Sequence, residues 1–61
     1  MKWEETNKFC TNSDFNVLLQ YPDHPLKDGL TAFCALKMGV SEETVRLALD
    51  IRLGRIKSEY S

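Results

Sequence analysis

Two prolines three residues apart limit the folds open to this chain more than any other feature. Pro22 and Pro25 lie within the segment Tyr21-Pro22-Asp23-His24-Pro25. Each proline fixes its own φ and lacks a backbone donor, so neither a helix nor a central strand can run through the segment. The prolines therefore predict a connector between a short N-terminal part and a longer C-terminal part.

The composition predicts a single small globular domain over residues 1–61. Hydrophobic residues make up 43% of the 61 positions and charged residues 28%, which is typical of globular proteins and argues against disorder. A chain of this length buries only about 60% of its unfolded surface, which leaves little room for an enzyme cleft. We therefore expect a non-enzymatic protein with no cofactor and no small-molecule substrate.

The cysteines and the hydropathy pattern predict a cytoplasmic protein. Two cysteines are too few for the disulfide frameworks of small secreted domains. No apolar run approaches the roughly 18–20 residues that cross a bilayer. The acidic, polar residues 1–5 are not typical of a signal peptide. We expect no membrane partner.

The segment after the prolines predicts a helix over residues 26–38. Its apolar residues recur at spacings of three and four, which place them on one helical face. These residues are Leu26, Leu30, Phe33, Cys34 and Met38. Gly39 follows directly, and glycine is the residue that most readily takes the positive φ after a helix end. The helix is therefore predicted to end at Gly39.

A second helix is predicted over residues 42–57. Ser41 provides an N-cap, and Glu42 and Glu43 complement the dipole of the first turn. The inward stripe is predicted to comprise Val45, Ala48, Leu49, Arg52, Leu53 and Ile56. Because Ile56 continues the pattern, we expect Gly54 to fray this helix rather than end it.

The N-terminal part is less regular. Residues 13–20 carry an N-cap signal at Ser13 and apolar residues that fit a short helix, although their alternation also fits a strand. A lone strand is unstable, which favours the helix. Residues 1–12 are predicted to form either a loose turn of helix or a flexible arm. The whole chain is thus expected to be a small all-α domain of three helices, or of four if the N-terminal residues are helical.

The segment around Gly39 resembles a helix-turn-helix. Ala35 is small enough for a close helix crossing, Gly39 supplies the turn, and Val40 can fill the angle between the helices. Val45 and Ala48 can point back to the first helix. The residues over about 31–50 are similar to the helix-turn-helix of bacterial repressors, a DNA-binding family.

This resemblance implies duplex DNA as a partner. In that family the start of the second helix faces base edges in the major groove, which implies such a role for Ser41, Glu42, Thr44 and Arg46. Three bases further along could contact phosphate, namely Arg52, Arg55 and Lys57. The expected function is that of a small nucleic-acid-binding regulator.

The alternative function is a protein-interaction or adaptor module that uses the same helical corner. Leu47 and Asp50 stand where a DNA-facing helix would prefer polar or basic groups, and the net charge is −1. Few bases are then available to neutralise phosphates. Sequence pattern leaves both functions open.

Leu47 and Ile51 predict a partner interface. They lie four residues apart, off the inward stripe of their helix, and a chain this short has little protein left to cover them. We expect a homodimer or another protein partner on this face. Alternatively, the N-terminal residues could cover it, with Trp3 and Phe9 as the lid.

No residues form a metal or catalytic motif. Cys10, Cys34 and His24 are far apart in sequence and lack the paired spacing of zinc ligands. Cys34 falls on the apolar face of its helix, which predicts a small buried hydrophobe. We therefore expect no metal and no catalytic residue.

Overall fold

A computed structural model of the chain describes residues 1–56 and contains four helices in this part. A 3₁₀ helix, η1, spans Trp3–Thr11. Three α-helices follow: α1 over Ser13–Gln20, α2 over Lys27–Met38 and α3 over Glu42–Arg52. No strand occurs within residues 1–56. The prediction of a small all-α domain is confirmed, with η1 as its fourth helix.

Helix α1 forms where the sequence favoured a helix over a strand. The side chain of Asn12 caps its first turn, since Oδ1 accepts hydrogen bonds from the backbone N–H groups of Asp14 at 2.9 Å and Phe15 at 3.2 Å. The cap thus lies one residue before the predicted Ser13. The helix ends before Pro22, as the proline connector requires.

Of the two N-terminal alternatives, a loose helical turn and a flexible arm, the structure has the helical one. Helix η1 packs against α1 and α3, and the side chains of Thr6 and Phe9 are completely buried. The ring centre of Phe9 lies 5.3 Å from that of Phe15 in a tilted pair. Because η1 supplies an aromatic residue to the core, it is an integral element of the fold.

The core draws side chains from all four helices. Phe9 comes from η1, Phe15 and Leu18 come from α1, and α2 and α3 contribute the rest. The buried hydrophobic cluster consists of Phe9, Phe15, Leu18, Cys34, Ala35, Val45, Ala48 and Leu49. Val45, Ala48 and Leu49 confirm the first half of the predicted stripe on α3, whereas the prediction is wrong for Ile56, which is 42% exposed because it lies beyond the end of the helix.

Helix α2 buries part of the predicted face, since Cys34 is in the core and Leu30 and Met38 pack half-buried against it. Its buried residues are Thr31, Cys34 and Ala35, whereas Leu26 and Phe33, both predicted to face inward, are 66% and 50% exposed. Thr31 tolerates burial because its hydroxyl donates to the carbonyl of Lys27 at 2.7 Å. Small side chains thus occupy the most buried positions of α2, and two of the large apolar ones, Leu26 and Phe33, face outward.

Helix α3 is shorter than predicted. It ends at Arg52, and Gly54 takes a positive φ of 76°. The N–H of Arg55 donates to the carbonyl of Asp50 at 2.9 Å, and that of Gly54 donates to Ile51 at 3.2 Å. This is a Schellman cap, so Gly54 ends the helix instead of fraying it. The last residue of the predicted 42–57 helix, residue 57, lies outside the described residues.

Candidate functional site

The corner between α2 and α3 is closed by two well-formed caps. Gly39 has φ 68° and ψ 33°, the left-handed conformation that glycine adopts without strain. The N–H of Val40 donates to the carbonyl of Ala35 at 3.0 Å, and the N–H of Gly39 donates to Leu36 at 3.3 Å. These bonds form a second Schellman cap. The predicted turn at Gly39 is therefore present.

Ser41 begins α3 as the sequence predicted. Its Oγ accepts a hydrogen bond from the backbone N–H of Thr44 at 3.2 Å and lies 2.8 Å from the Thr44 hydroxyl. Ser41 is exposed, whereas Thr44 is half-buried. Both hydroxyl groups thus take part in capping the helix.

The three arginines predicted to bind DNA all have partners within the chain. Arg46 forms an ion pair with Glu42 at 3.5 Å, and Arg55 forms one with Asp50 at 3.7 Å. Arg52 contacts η1 on another side of the molecule. A phosphate would have to compete with these partners for each guanidinium. Lys57, the fourth predicted base, lies outside the described residues.

Acidic groups dominate the exposed start of α3. Glu42 and Glu43 are exposed beside Arg46, and the half-buried Asp50 lies one turn beyond Arg46. At the start of α3 two exposed carboxylates, Glu42 and Glu43, therefore accompany one guanidinium, while Asp50 is paired with Arg55. Such a surface repels phosphate more than it attracts it.

The predicted partner interface is wrong for Ile51, because its side chain is only 3% exposed. Leu47 is half-buried. Helix η1 packs along α3, which agrees with the alternative that N-terminal residues cover this side. Phe9 takes part as a core residue, while Trp3 is 44% exposed and stacks on Arg52 rather than forming a closed lid.

Arg52 fastens η1 to α3. Its Nε donates to the hydroxyl of Thr6 at 2.5 Å, and a terminal nitrogen donates to Oδ1 of Asn7. Its guanidinium carbon lies 4.4 Å from the ring centre of Trp3. The Thr6 hydroxyl in turn donates to the carbonyl of Trp3 at 2.6 Å. Arg52 therefore has a structural role.

An exposed apolar surface on α2 was not recognised from the sequence. Leu26, Phe33 and Leu36 are 66%, 50% and 77% exposed. Their spacings of seven and three residues place them on one side of the helix, and we call this set the α2 stripe. The signal was present in the sequence, but Leu26 and Phe33 were assigned to the core and Leu36 to neither face.

Lys37 provides the charge next to the α2 stripe. Its ammonium nitrogen lies 4.5 Å from the ring centre of Phe33 and 3.6 Å from Oδ2 of Asp14. That buried oxygen has no hydrogen-bond partner within the described part, so Lys37 is its counter-charge. The ammonium is thus held beside the stripe by both the ring and the carboxylate.

A cleft of about 250 Å³ lies between α3, the proline connector and the start of α2. Leu18 and Leu49 contribute apolar surface to it. Its charged residues are three bases and three acids, namely Lys27, Arg46, Arg55, Asp23, Asp28 and Asp50. The fold thus brings together Arg46 and Arg55, two of the predicted DNA-binding residues, but balances them with carboxylates.

The cysteines and the helix hydropathy give further constraints. Cys10 and Cys34 are both free thiols, and burial raises the pKa of the Cys34 thiol, with a smaller contribution from the negative charge of Asp14. No group of three or more potential metal ligands occurs within residues 1–56. None of the helices in the same range is long and apolar enough to cross a membrane.

Comparisons with protein-family models, with curated proteins and with solved structures gave no match. The similarity to repressor helix-turn-helix segments therefore stays a prediction.

Proposed function

We propose that this chain is a non-enzymatic protein-interaction module that binds its partner through the α2 stripe. The observation that carries the proposal is the exposure of Leu26, Phe33 and Leu36 on one side of a helix. Two unpaired thiols support a cytoplasmic location as part of the same proposal.

The size of the α2 stripe supports an interaction role. Together, the exposed fractions of Leu26, Phe33 and Leu36 equal nearly two whole side chains. At about 150–200 Å² for a large side chain, the exposed area is roughly 300–400 Å². The largest apolar patch on a typical monomer is roughly 300–600 Å² and often functional. A 61-residue chain thus devotes a substantial apolar surface to solvent.

The α2 stripe lies on an ordered helix, which favours binding. The opposite side of α2 is fixed in the core by Thr31, Cys34 and Ala35, so the stripe stands on an ordered helix. Little backbone ordering is then needed on association. Phe33 is the best anchor, because buried aromatic residues contribute most to protein interfaces. The matching partner surface is an apolar groove or the apolar side of another helix.

The test compares capture by the wild-type chain, Leu36→Lys and the control Ile56→Lys. Ile56 is also an exposed aliphatic residue but lies outside α2. Proteins retained by the wild type and the control but not by Leu36→Lys would be purified. Each would then be titrated against the wild type, Leu36→Lys and Ile56→Lys. We expect Leu36→Lys to weaken binding by at least ~10-fold, because a lysine there abolishes the burial of a leucine. Equal binding by Leu36→Lys would contradict the proposal.

A second candidate function is duplex DNA binding, favoured by the capped corner between α2 and α3. Gly39 and Ser41 hold the start of α3 at the surface, where Arg46 is exposed. Binding requires Arg46 to leave Glu42, so Arg46→Ala should weaken it and Glu42→Gln should strengthen it. The two variants are compared by heteronuclear NMR titration with duplex DNA at low salt. Absence of shift changes at Ser41, Thr44 and Arg46 would exclude this function.

A further inference from the structure

We propose that the occupant of the α2 stripe is the same stripe of a second copy, with the two α2 helices antiparallel. This inference rests on the proposed function and names the partner. Leu26 of one copy would lie against Leu36 of the second copy, and Gly29 would lie against Phe33. The twofold axis repeats each contact, so every residue of the stripe gains a partner.

Gly29 allows the two α2 helices to approach each other closely. It lies on the same side of α2 as the stripe, three residues after Leu26 and four before Phe33. A Cβ placed at Gly29 would have no heavy atom within 4 Å, so the space above this position is open. The Phe33 ring of the second copy fits this space, whereas a parallel pair would oppose Gly29 to Gly29 and leave a gap.

Charge also favours the antiparallel arrangement. Lys37 borders the stripe beside Phe33 and forms an ion pair with Asp14. In the antiparallel pair the two Lys37 residues are about 12 residues apart along the helix axis, or roughly 18 Å. This exceeds the Debye length of about 8 Å at physiological salt, so their repulsion is screened. A parallel pair would place the two ammonium groups side by side.

The buried area sets the strength of the dimer. Two stripes bring together roughly 600–800 Å² of apolar surface, and the flanking Ala32 and the Lys37 stem raise the total toward about 1,000 Å². This is the lower limit of specific interfaces, so the dimer is weak and reversible. We expect a dissociation constant on the order of 0.1 mM.

Sedimentation equilibrium from about 10 µM to about 1 mM tests the proposal, over a range that brackets the expected dissociation constant. The wild type and Ile56→Lys should dimerise, and Leu36→Lys and Leu26→Glu should each weaken self-association by at least ~10-fold. An equimolar mixture of Leu36→Lys and Leu26→Glu should restore a dimer, because the antiparallel register places the new lysine against the new glutamate. Circular dichroism confirms that each variant is folded.

Three results would overturn the dimer. They are a wild-type monomer throughout this range, a dimer that persists in Leu36→Lys, and a mixture of the two charge variants that stays monomeric. If the wild type is monomeric and yet Leu36→Lys loses a purified heterologous partner, the stripe binds another protein. The proposed function then stands and the homodimer does not.

Discussion

Cys34 shows how the core determines the chemistry of a single residue. It was predicted to be a small buried hydrophobe, and its side chain is completely buried. Burial raises the pKa of its thiol above the ordinary value of 9.0; the Asp14 charge acts in the same direction and the Lys37 charge opposes it. A thiol with a raised pKa is a poor nucleophile at neutral pH.

We expect the Cys34 thiol to make stability fall at alkaline pH. The pKa of the thiol is higher in the folded state than in the unfolded state, so the protonated thiol contributes to the free energy of unfolding. This contribution is fully present below about pH 9 and is lost as the pH rises through the folded-state pKa. Urea unfolding at pH 7.5 and at pH 9.5 would be compared for the wild type and Cys34→Ala. The alkaline loss of unfolding free energy should be smaller in Cys34→Ala; equal losses would contradict the raised pKa.

At the scale of elements, the sequence predicted where helices begin better than which side they bury. Ser41 and Gly39 have strong local conformational preferences, so both ends of the corner were predicted correctly. The predicted face of α2 was wrong for Leu26 and Phe33 because spacing alone favours large apolar residues, whereas Thr31 and Ala35 join Cys34 in the buried positions. Close approach of neighbouring helices selects small side chains, and periodicity does not report it.

Alanine substitutions at Gly29, within α2, and at Gly39, directly after it, should change the stability of the protein in opposite directions. Gly39 has a positive φ and Gly29 does not, although neither has a heavy atom within 4 Å of an added Cβ. Gly39→Ala should destabilise by about 1–2 kcal/mol because of left-handed strain. Gly29→Ala should stabilise by about 0.5 kcal/mol, since alanine is the better helix former. Thermal melts at low micromolar concentration measure the change in melting temperature of each variant. If both melting temperatures changed in the same direction, backbone strain at Gly39 would not explain the effect of Gly39→Ala.

At the scale of the whole molecule, the N-terminal helix completes the core. Arg52 contacts Thr6, 46 residues away in sequence, and no periodic pattern could have indicated that pairing. The sequence therefore left residues 1–12 open between a loose helical turn and an arm, and it predicted that Ile51 is exposed. In the structure η1 packs against α3, Ile51 is buried, and the α2 stripe stays exposed.

Phe9→Ala tests whether the fold depends on η1. A globular chain of this length has a stability of about 3–9 kcal/mol, and truncating a buried phenylalanine costs about 3–5 kcal/mol, so the variant should be largely unfolded near its former melting temperature. Lys8→Ala is the control, because Lys8 is exposed and loses only a contact of 5.4 Å to the Phe9 ring. Circular dichroism follows the helices, and emission from Trp3, the single tryptophan, reports release of η1 from Arg52. If Phe9→Ala changed Trp3 emission while the melting temperature stayed that of Lys8→Ala, residues 1–12 would be a dispensable arm, as the sequence alone suggested.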